Sequence, residues 1–427
     1  MRFKYLYISI ITLLLFNFSL STVSAEETLS WIECIKEAAK NHPDLIAAHE
    51  EVVQSEAAKK ITASTLYPQI TSSVSASTAR TATDKAPGKV ADSYGYGVSG
   101  TQLIFDANKT INNVNAASEN IKASKENFRF TSATVRFRLR SAFINLLTVQ
   151  ENLIITQQIY DIRRSNLELI TLRYESGLEH KGALLTAQAD LADASYQINL
   201  AKRNVEVAQR QLTKETGRKE FSPMLVKGEF IVKDAAKNKP DFTLLSKNNP
   251  SLLLLVAQKK AAEFSLKSAY ANFAPTLTGS AGANKNGSYW EPKGDQWNMG
   301  LTVSVPIFEG GLRIAQVNQA QALLQQLREN ERSTQDGLVY TLEQAWADLQ
   351  DAIDNVEVQR AQLAATQERS KIAQAQYSIG FISFDNWTII EDNLVQAKSA
   401  YLAAESNALF AEATWIQAKG ETLEYEE

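Results

Sequence analysis

The sequence predicts a mixed α/β membrane protein: long antiparallel coiled-coil helical hairpins combined with a four-strand contribution to a transmembrane β-barrel, in two matched halves. Three observations carry this. Glycine and proline number only 18 and 9 in 427 residues, about half the usual share, and they are nearly absent from two long stretches. Within those stretches apolar residues recur at every seventh position. Outside them, in two short regions, the apolar period drops to two.

Residues 1–25 read as an export signal. Arg2 and Lys4 give the positive start, Tyr5–Phe16 an apolar run too short to span a bilayer, and Val23-Ser24-Ala25 a small-residue cleavage site. Two matched series follow. Asn41-His42-Pro43 recurs as Asn248-Asn249-Pro250, Ile104-Phe105-Asp106 as Ile307-Phe308-Glu309, Tyr174-Glu175-Ser176-Gly177 as Tyr377-Ser378-Ile379-Gly380, and Gly217 as Gly420. The offset changes once, between Pro68 and Phe105. The expected organisation is a first repeat at 26–217, a joining segment at 218–248 with Pro223 and Pro240, a second repeat at 249–420 and a tail at 421–427.

In each repeat a helical segment beginning at Pro43 or Pro250 leads to two strands, over about 67–105 and about 275–308. Trp297, Met299, Leu301, Val303 and Val305 alternate with Asn298, Gly300, Thr302 and Ser304; Ile70, Val74 and Ala76 alternate with Thr71, Ser73, Ser75 and Ser77. The polar side is small and almost uncharged. Apolar outward, small polar inward and aromatics near the strand ends is the pattern of a membrane-spanning strand, with Trp297, Met299, Leu301, Val303 and Val305 facing lipid. Arg80–Asp92 and Asn286–Asp295 are expected to be polar loops.

The helical hairpins are expected at 106–217 and 309–420. Leu139, Leu146, Leu153, Tyr160, Leu167 and Tyr174 form one heptad series; Ala187, Ala194, Ala201 and Ala208 mark the close-packed positions of the returning helix. Leu342, Leu349, Val356, Leu363 and Tyr377 repeat the first series, and Trp387, Leu394, Tyr401 and Trp415 sit on its partner above Ala397, Ala404 and Ala411. The long helices, Asp106–Tyr174 and Glu309–Tyr377, would span about 100 Å. Each would lie beside a stacked pair of shorter ones, making a helical tube hung from the strands.

The composition speaks against other classes. A net charge of −4 gives no support for a nucleic-acid partner. A single cysteine, Cys34, forbids an internal disulfide, and His42, His49 and His180 lack metal-ligand spacing. Gly95-Tyr96-Gly97-Val98-Ser99-Gly100 matches a dinucleotide-binding pattern, but a strand runs through it where a helix should open. No catalytic residue, cofactor or metal is expected.

Four strands cannot close a barrel, and an open edge in hydrocarbon leaves backbone groups unpaired at several kcal/mol each. A membrane reading therefore requires a ring of identical chains, of a number the residues alone do not choose. They also leave a second class open, a periplasmic coiled-coil adaptor or scaffold with no membrane barrel. With its export signal, repeated strand-and-helix hairpins, Asn-x-Pro helix starts and Tyr-x-x-Gly turns, the chain resembles the TolC-like outer-membrane efflux family over roughly residues 26–420. Gln376–Phe384 and Ala418-Lys419-Gly420 are especially similar. The resemblance implies a homotrimer in the outer membrane of a diderm bacterium. Its 12-strand barrel and periplasmic α-barrel would act as the passive exit duct of a tripartite efflux pump or type I secretion system. The implied partners are outer-membrane lipid, a periplasmic membrane-fusion adaptor and an inner-membrane transporter that supplies the energy. It also places the hairpin tips, Glu175–Ala183 and Ser378–Asn386, at the closed end of the tunnel. Gly177 and Gly380 would shape the turns, with Leu178, Phe381, Ile382 and Phe384 against the adaptor or neighbouring chains, the alternative being packing within the chain itself. In several relatives acidic residues ring the aperture. Those places hold Asn386 and Ile389 here, so Asp385 beside Asn386 is the candidate aperture carboxylate, the alternative being that Asp385 caps the returning helix.

Overall fold

The computed structural model describes residues 27–83, 86–232 and 238–423. The expected export signal, and the expected tail beyond Leu423, lie outside the described residues. Along the chain, β1 (Glu27–Leu29) and α1 (Trp31–Asn41) precede α2 (Pro43–Ser64), the strands β2 (Gln69–Thr83) and β3 (Ala86–Phe105), and the hairpin α3 (Lys109–Glu175) and α4 (Lys181–Glu215). Then β4 (Met224–Val226) and α5 (Phe242–Ser246) lead to α6 (Pro250–Ala271), β5 (Thr276–Gly287), β6 (Gly294–Ser304), α7 (Leu312–Ser378) and α8 (Phe384–Lys419).

Local chemistry sets the helix starts. Ser30 and Glu33 form a capping box on α1. The α2 and α6 starts share one design: Pro43 or Pro250 in the first turn, with His42 or Asn249 accepting a backbone N–H just inside it. The turns into α3 and α7 are also alike. Ala107 and Asn108 have φ of 53° and 65°, and Gly310 and Gly311 have 58° and 87°.

Both α3 and α7 have 67 residues, about 100 Å of helix. The shorter helices stack end to end beside them. His42, at the start of α2, faces Glu215, at the end of α4, across 3.6 Å. Asn249, at the start of α6, donates to the Ala418 carbonyl of α8 at 3.0 Å. Across this wall of helices the order is α4 and α2, then α3, then α8 and α6, then α7. Midway along, β1 pairs in parallel with β4. There Leu29, Cys34 and Ile35 pack with Leu139, Phe143 and Met224, and burial pushes the Cys34 thiol up to about 12. Phe242 of α5 packs with Leu342, Leu349 and Trp415. Thr422 and Leu423, at the start of the expected tail, are buried, and the Leu423 N–H donates to Ser132 Oγ at 3.1 Å.

The four long strands form one antiparallel sheet in the order β2-β3-β5-β6. Its register pairs Val74 with Tyr96, Val98 with Ala283, Ala281 with Met299 and Ala283 with Trp297. The apolar sets of all strands therefore share one face, while Thr71, Ser73, Ser75, Ser99, Gly282 and Asn298 share the other. The ladder between β2 and β3 runs on to Thr83 and Ala86, through the segment expected as the polar loop Arg80–Asp92. Thr78 and Val90 are β-branched and favour extended backbone, and a polar ladder is tolerated beyond an apolar band. At the other end β6 stops at Ser304, short of Phe308, because Pro306 has no N–H for the ladder.

Candidate functional site

The hairpin tips bring the candidate residues together. Helix α3 ends in a Schellman turn: Leu178 N–H donates to the Arg173 carbonyl at 2.8 Å and Gly177 N–H to Tyr174 at 3.0 Å. Helix α7 ends the same way, Phe381 N–H donating to Gln376 at 2.8 Å and Gly380 N–H to Tyr377 at 3.0 Å. The turns need φ of 72° at Gly177 and 78° at Gly380, a region where a side chain is strained. Both returning helices are capped by side chains. His180 Nδ1 accepts from Ala183 N–H at 3.2 Å, and Ser383 Oγ from Asn386 N–H at 3.4 Å. The cap of α8 is thus Ser383, not Asp385. Asp385 stands in the first turn, where its charge suits the helix dipole, and it is exposed together with Asn386.

The apolar tip residues divide. Leu178 and Phe381 are 67% and 75% exposed, and Ile379, which the sequence reading did not single out, is 79% exposed. Phe384, expected on the outside, is 8% exposed, and Ile382 packs against the same cluster. Phe384 turns inward because it opens α8 three residues before Trp387, on the face that meets Tyr377.

That inner cluster joins the two hairpins. Tyr377 stacks on Trp387 with ring centroids 4.4 Å apart and planes within 13°. Ile170, Ala183 and Ala187 of the other hairpin pack against them. The Tyr377 hydroxyl donates to Glu179 Oε2 at 2.8 Å, across the hairpins. The Arg173 guanidinium lies 4.8 Å from the Tyr377 ring centroid, and Nη1 donates to the Tyr377 carbonyl at 3.4 Å. Burial, then the Glu179 carboxylate, raises the Tyr377 phenol above its ordinary value, so it stays a neutral donor. The sequence signal for Tyr377 was its heptad place. Arg173 and Glu179 carried none, being charged residues at a turn.

Above the tip, α3 and α8 meet through polar pairs. Thr148 Oγ1 donates to Ser406 Oγ at 2.9 Å, Lys398 Nζ to Gln158 Oε1 at 3.2 Å and Arg163 Nη2 to Asp392 Oδ1 at 2.5 Å. Among the described residues no group of His, Cys, Asp and Glu is placed to hold a metal ion, and no helix is long and apolar enough to cross a membrane.

Comparison with known proteins matches residues 34–218 and 243–421 to the family described as outer membrane efflux protein. The outer membrane efflux protein BepC of Brucella suis biovar 1 is 22% identical over 393 residues, 90% of this chain and 83% of that protein. The outer membrane protein TolC of Escherichia coli K12 is 24% identical over 284 residues, 62% of this chain and 57% of that protein. The crystal structure of the Campylobacter jejuni CmeC outer membrane channel superposes with a TM-score of 0.78 at 19% identity, covering 92% of this chain and 86% of that one.

Proposed function

Because this chain belongs to the outer membrane efflux protein family, and so sits in the outer membrane and reaches into the periplasm, we propose that it is a passive exit duct. Three copies assemble, each giving four strands to a 12-strand barrel and four columns of helix to a periplasmic tube. An inner-membrane transporter drives export through a periplasmic adaptor, for a tripartite efflux pump or a type I secretion system. No catalytic step is assigned to the duct.

The observation that carries this reading is the open sheet. Its apolar face is continuous across β2, β3, β5 and β6, with Trp297, Met299, Leu301 and Val303 between 64% and 82% exposed, and among the described residues β2 and β6 are unpaired on their outer sides. In lipid those edges have to be closed by further copies. The helical wall has free edges in register with the sheet's, at α7 and at α4 and α2. Tyr340, Val358 and Ile372 on one, and Val53, Leu185 and Tyr196 on the other, are exposed. We read residues 26–217 and 249–420 as copies of one ancestral half joined by 218–248. Supporting this, the long helices are equal in length, as are α2 and α6 at 22 residues.

At the tip, Leu178 and Phe381 are the adaptor contacts and Asp385 and Asn386 flank the aperture. The Tyr377–Glu179–Arg173 cluster holds it closed. Light scattering of detergent-purified protein should give a trimer, and planar bilayers should show discrete conductance steps. Recovery as a soluble periplasmic monomer would instead support the coiled-coil scaffold reading.

A further inference from the structure

Ten residues up α3 from Arg173, a second charged cluster spans the hairpins. Arg163 of α3, its side chain 12% exposed, reaches Asp392 of α8 at 2.5 Å and Asp190 of α4 at 3.9 Å. One cation thus stands between carboxylates from the returning helices of both hairpins. The other ionisable groups here are Asp193, also on α4 and exposed, and Glu391 of α8. Glu391 is buried and bonded by the Ser370 hydroxyl of α7 at 2.6 Å. Arg163, Asp190 and Glu391 line one small pocket with Asn166, Thr388 and Trp387. Carboxylates therefore outnumber the cation at this level of the seam, and Asp190 and Asp392 repel each other across it.

We propose that Arg163, Asp190 and Asp392 form a proton-sensitive lock between the hairpins, distinct from the tip cluster, which mild acid tightens. This rests on the duct reading insofar as parting of α3 from α8 opens the tunnel. With the seam closed, burial first, and the neighbouring Asp392 and Asp193 carboxylates after it, raise Asp190 above its ordinary value, against the lowering by Arg163. Parting the seam hydrates Asp190 and removes Asp392, so the closed form binds the proton more tightly. By linkage the closed form gains as pH falls from neutrality toward the ordinary carboxylate range. Protonated Asp190 leaves Arg163 in a one-to-one pair with Asp392.

The test is hydrogen exchange of peptides covering residues 386–396, corrected for intrinsic rates, on detergent-purified protein. Bilayer conductance from about pH 7.5 down to about pH 4, through the ordinary carboxylate range, accompanies it. Protection of those peptides should rise, and open probability fall, on the order of threefold on acidification. Asp190→Asn should be closed at neutral pH with a flat profile. Arg163→Gln should move the other way, loose at neutral pH and steeper in acid, because the carboxylates then face each other unneutralised. Loosening by both variants alike would mark a structural contact only, and an Asp190→Asn chain with the wild-type pH profile would also overturn the lock. A chain that exchanges as expected but conducts nothing would sink the duct reading and leave the lock standing.

Discussion

Two kinds of seam run along the helical wall. Inside each hairpin the helices meet through apolar layers: Leu139 and Leu146 with Ala208 and Leu212 in one, Leu342 and Leu349 with Trp415 in the other, all nearly inaccessible to water. Between the hairpins, α3 and α8 meet through hydroxyls, an amide and an ion pair at Thr148, Gln158 and Arg163, with apolar contact above and below this stretch, where Leu409 and Ala413 join the core around Leu139 and where Ile170 joins Trp387 at the tip. Parting an apolar layer exposes hydrocarbon at about 25 cal/mol per Å². Parting a polar pair exchanges it for water at a net cost of about 1 kcal/mol. From Thr148 to Arg163 the seam between the hairpins therefore separates at lower cost than the layers inside each hairpin.

The contrast is open to attack. Leu349→Ala, inside the stiff seam, should lower stability by about 2–5 kcal/mol in chemical denaturation. Thr148→Val combined with Ser406→Ala, in the polar seam, should change it by less than about 1 kcal/mol; equal losses would erase the distinction. Tyr377→Phe removes one cross-hairpin hydrogen bond worth about 1 kcal/mol and should raise the open population about fivefold in bilayers, while lowering stability to unfolding by no more than about 1 kcal/mol. The matched turns allow a finer cut. Ala107 occupies the left-handed region where the other half has Gly310, so Ala107→Gly should add about 0.5–1 kcal/mol, read as a higher midpoint. Leu178→Asp with Phe381→Asp, both fully outside the seams, should leave stability within about 0.5 kcal/mol while abolishing capture of the adaptor in a pull-down.

Much of the fold was legible because its signals are local. The heptads at Leu139 and Ala187, the alternation at Trp297 to Val303 and the turn glycines Gly177 and Gly380 each encode an element through its own period or backbone need. The site was less legible. Phe381 and Phe384 look alike in sequence, yet one projects and one is buried, since the helix start at Ser383 decides the direction of Phe384. Arg163, Arg173 and Glu179 read as ordinary solvated charges until the partner hairpin is placed beside them.

By itself the sequence determined the lengths of the helices, the faces they would bury, the strand pattern and the places where the chain turns. A residue's period and φ preference are properties of its neighbours in the chain. Only the tertiary structure decided that β3 lies next to β5, that α3 takes α8 and α6 on its second side, that Ser383 rather than Asp385 caps α8, and that Tyr377 reaches Glu179. Several apolar faces of similar width were available, and no local rule says which pair meets. That choice is made by the simultaneous packing of long-range partners, and the polar cross-hairpin contacts exist only once it has been made.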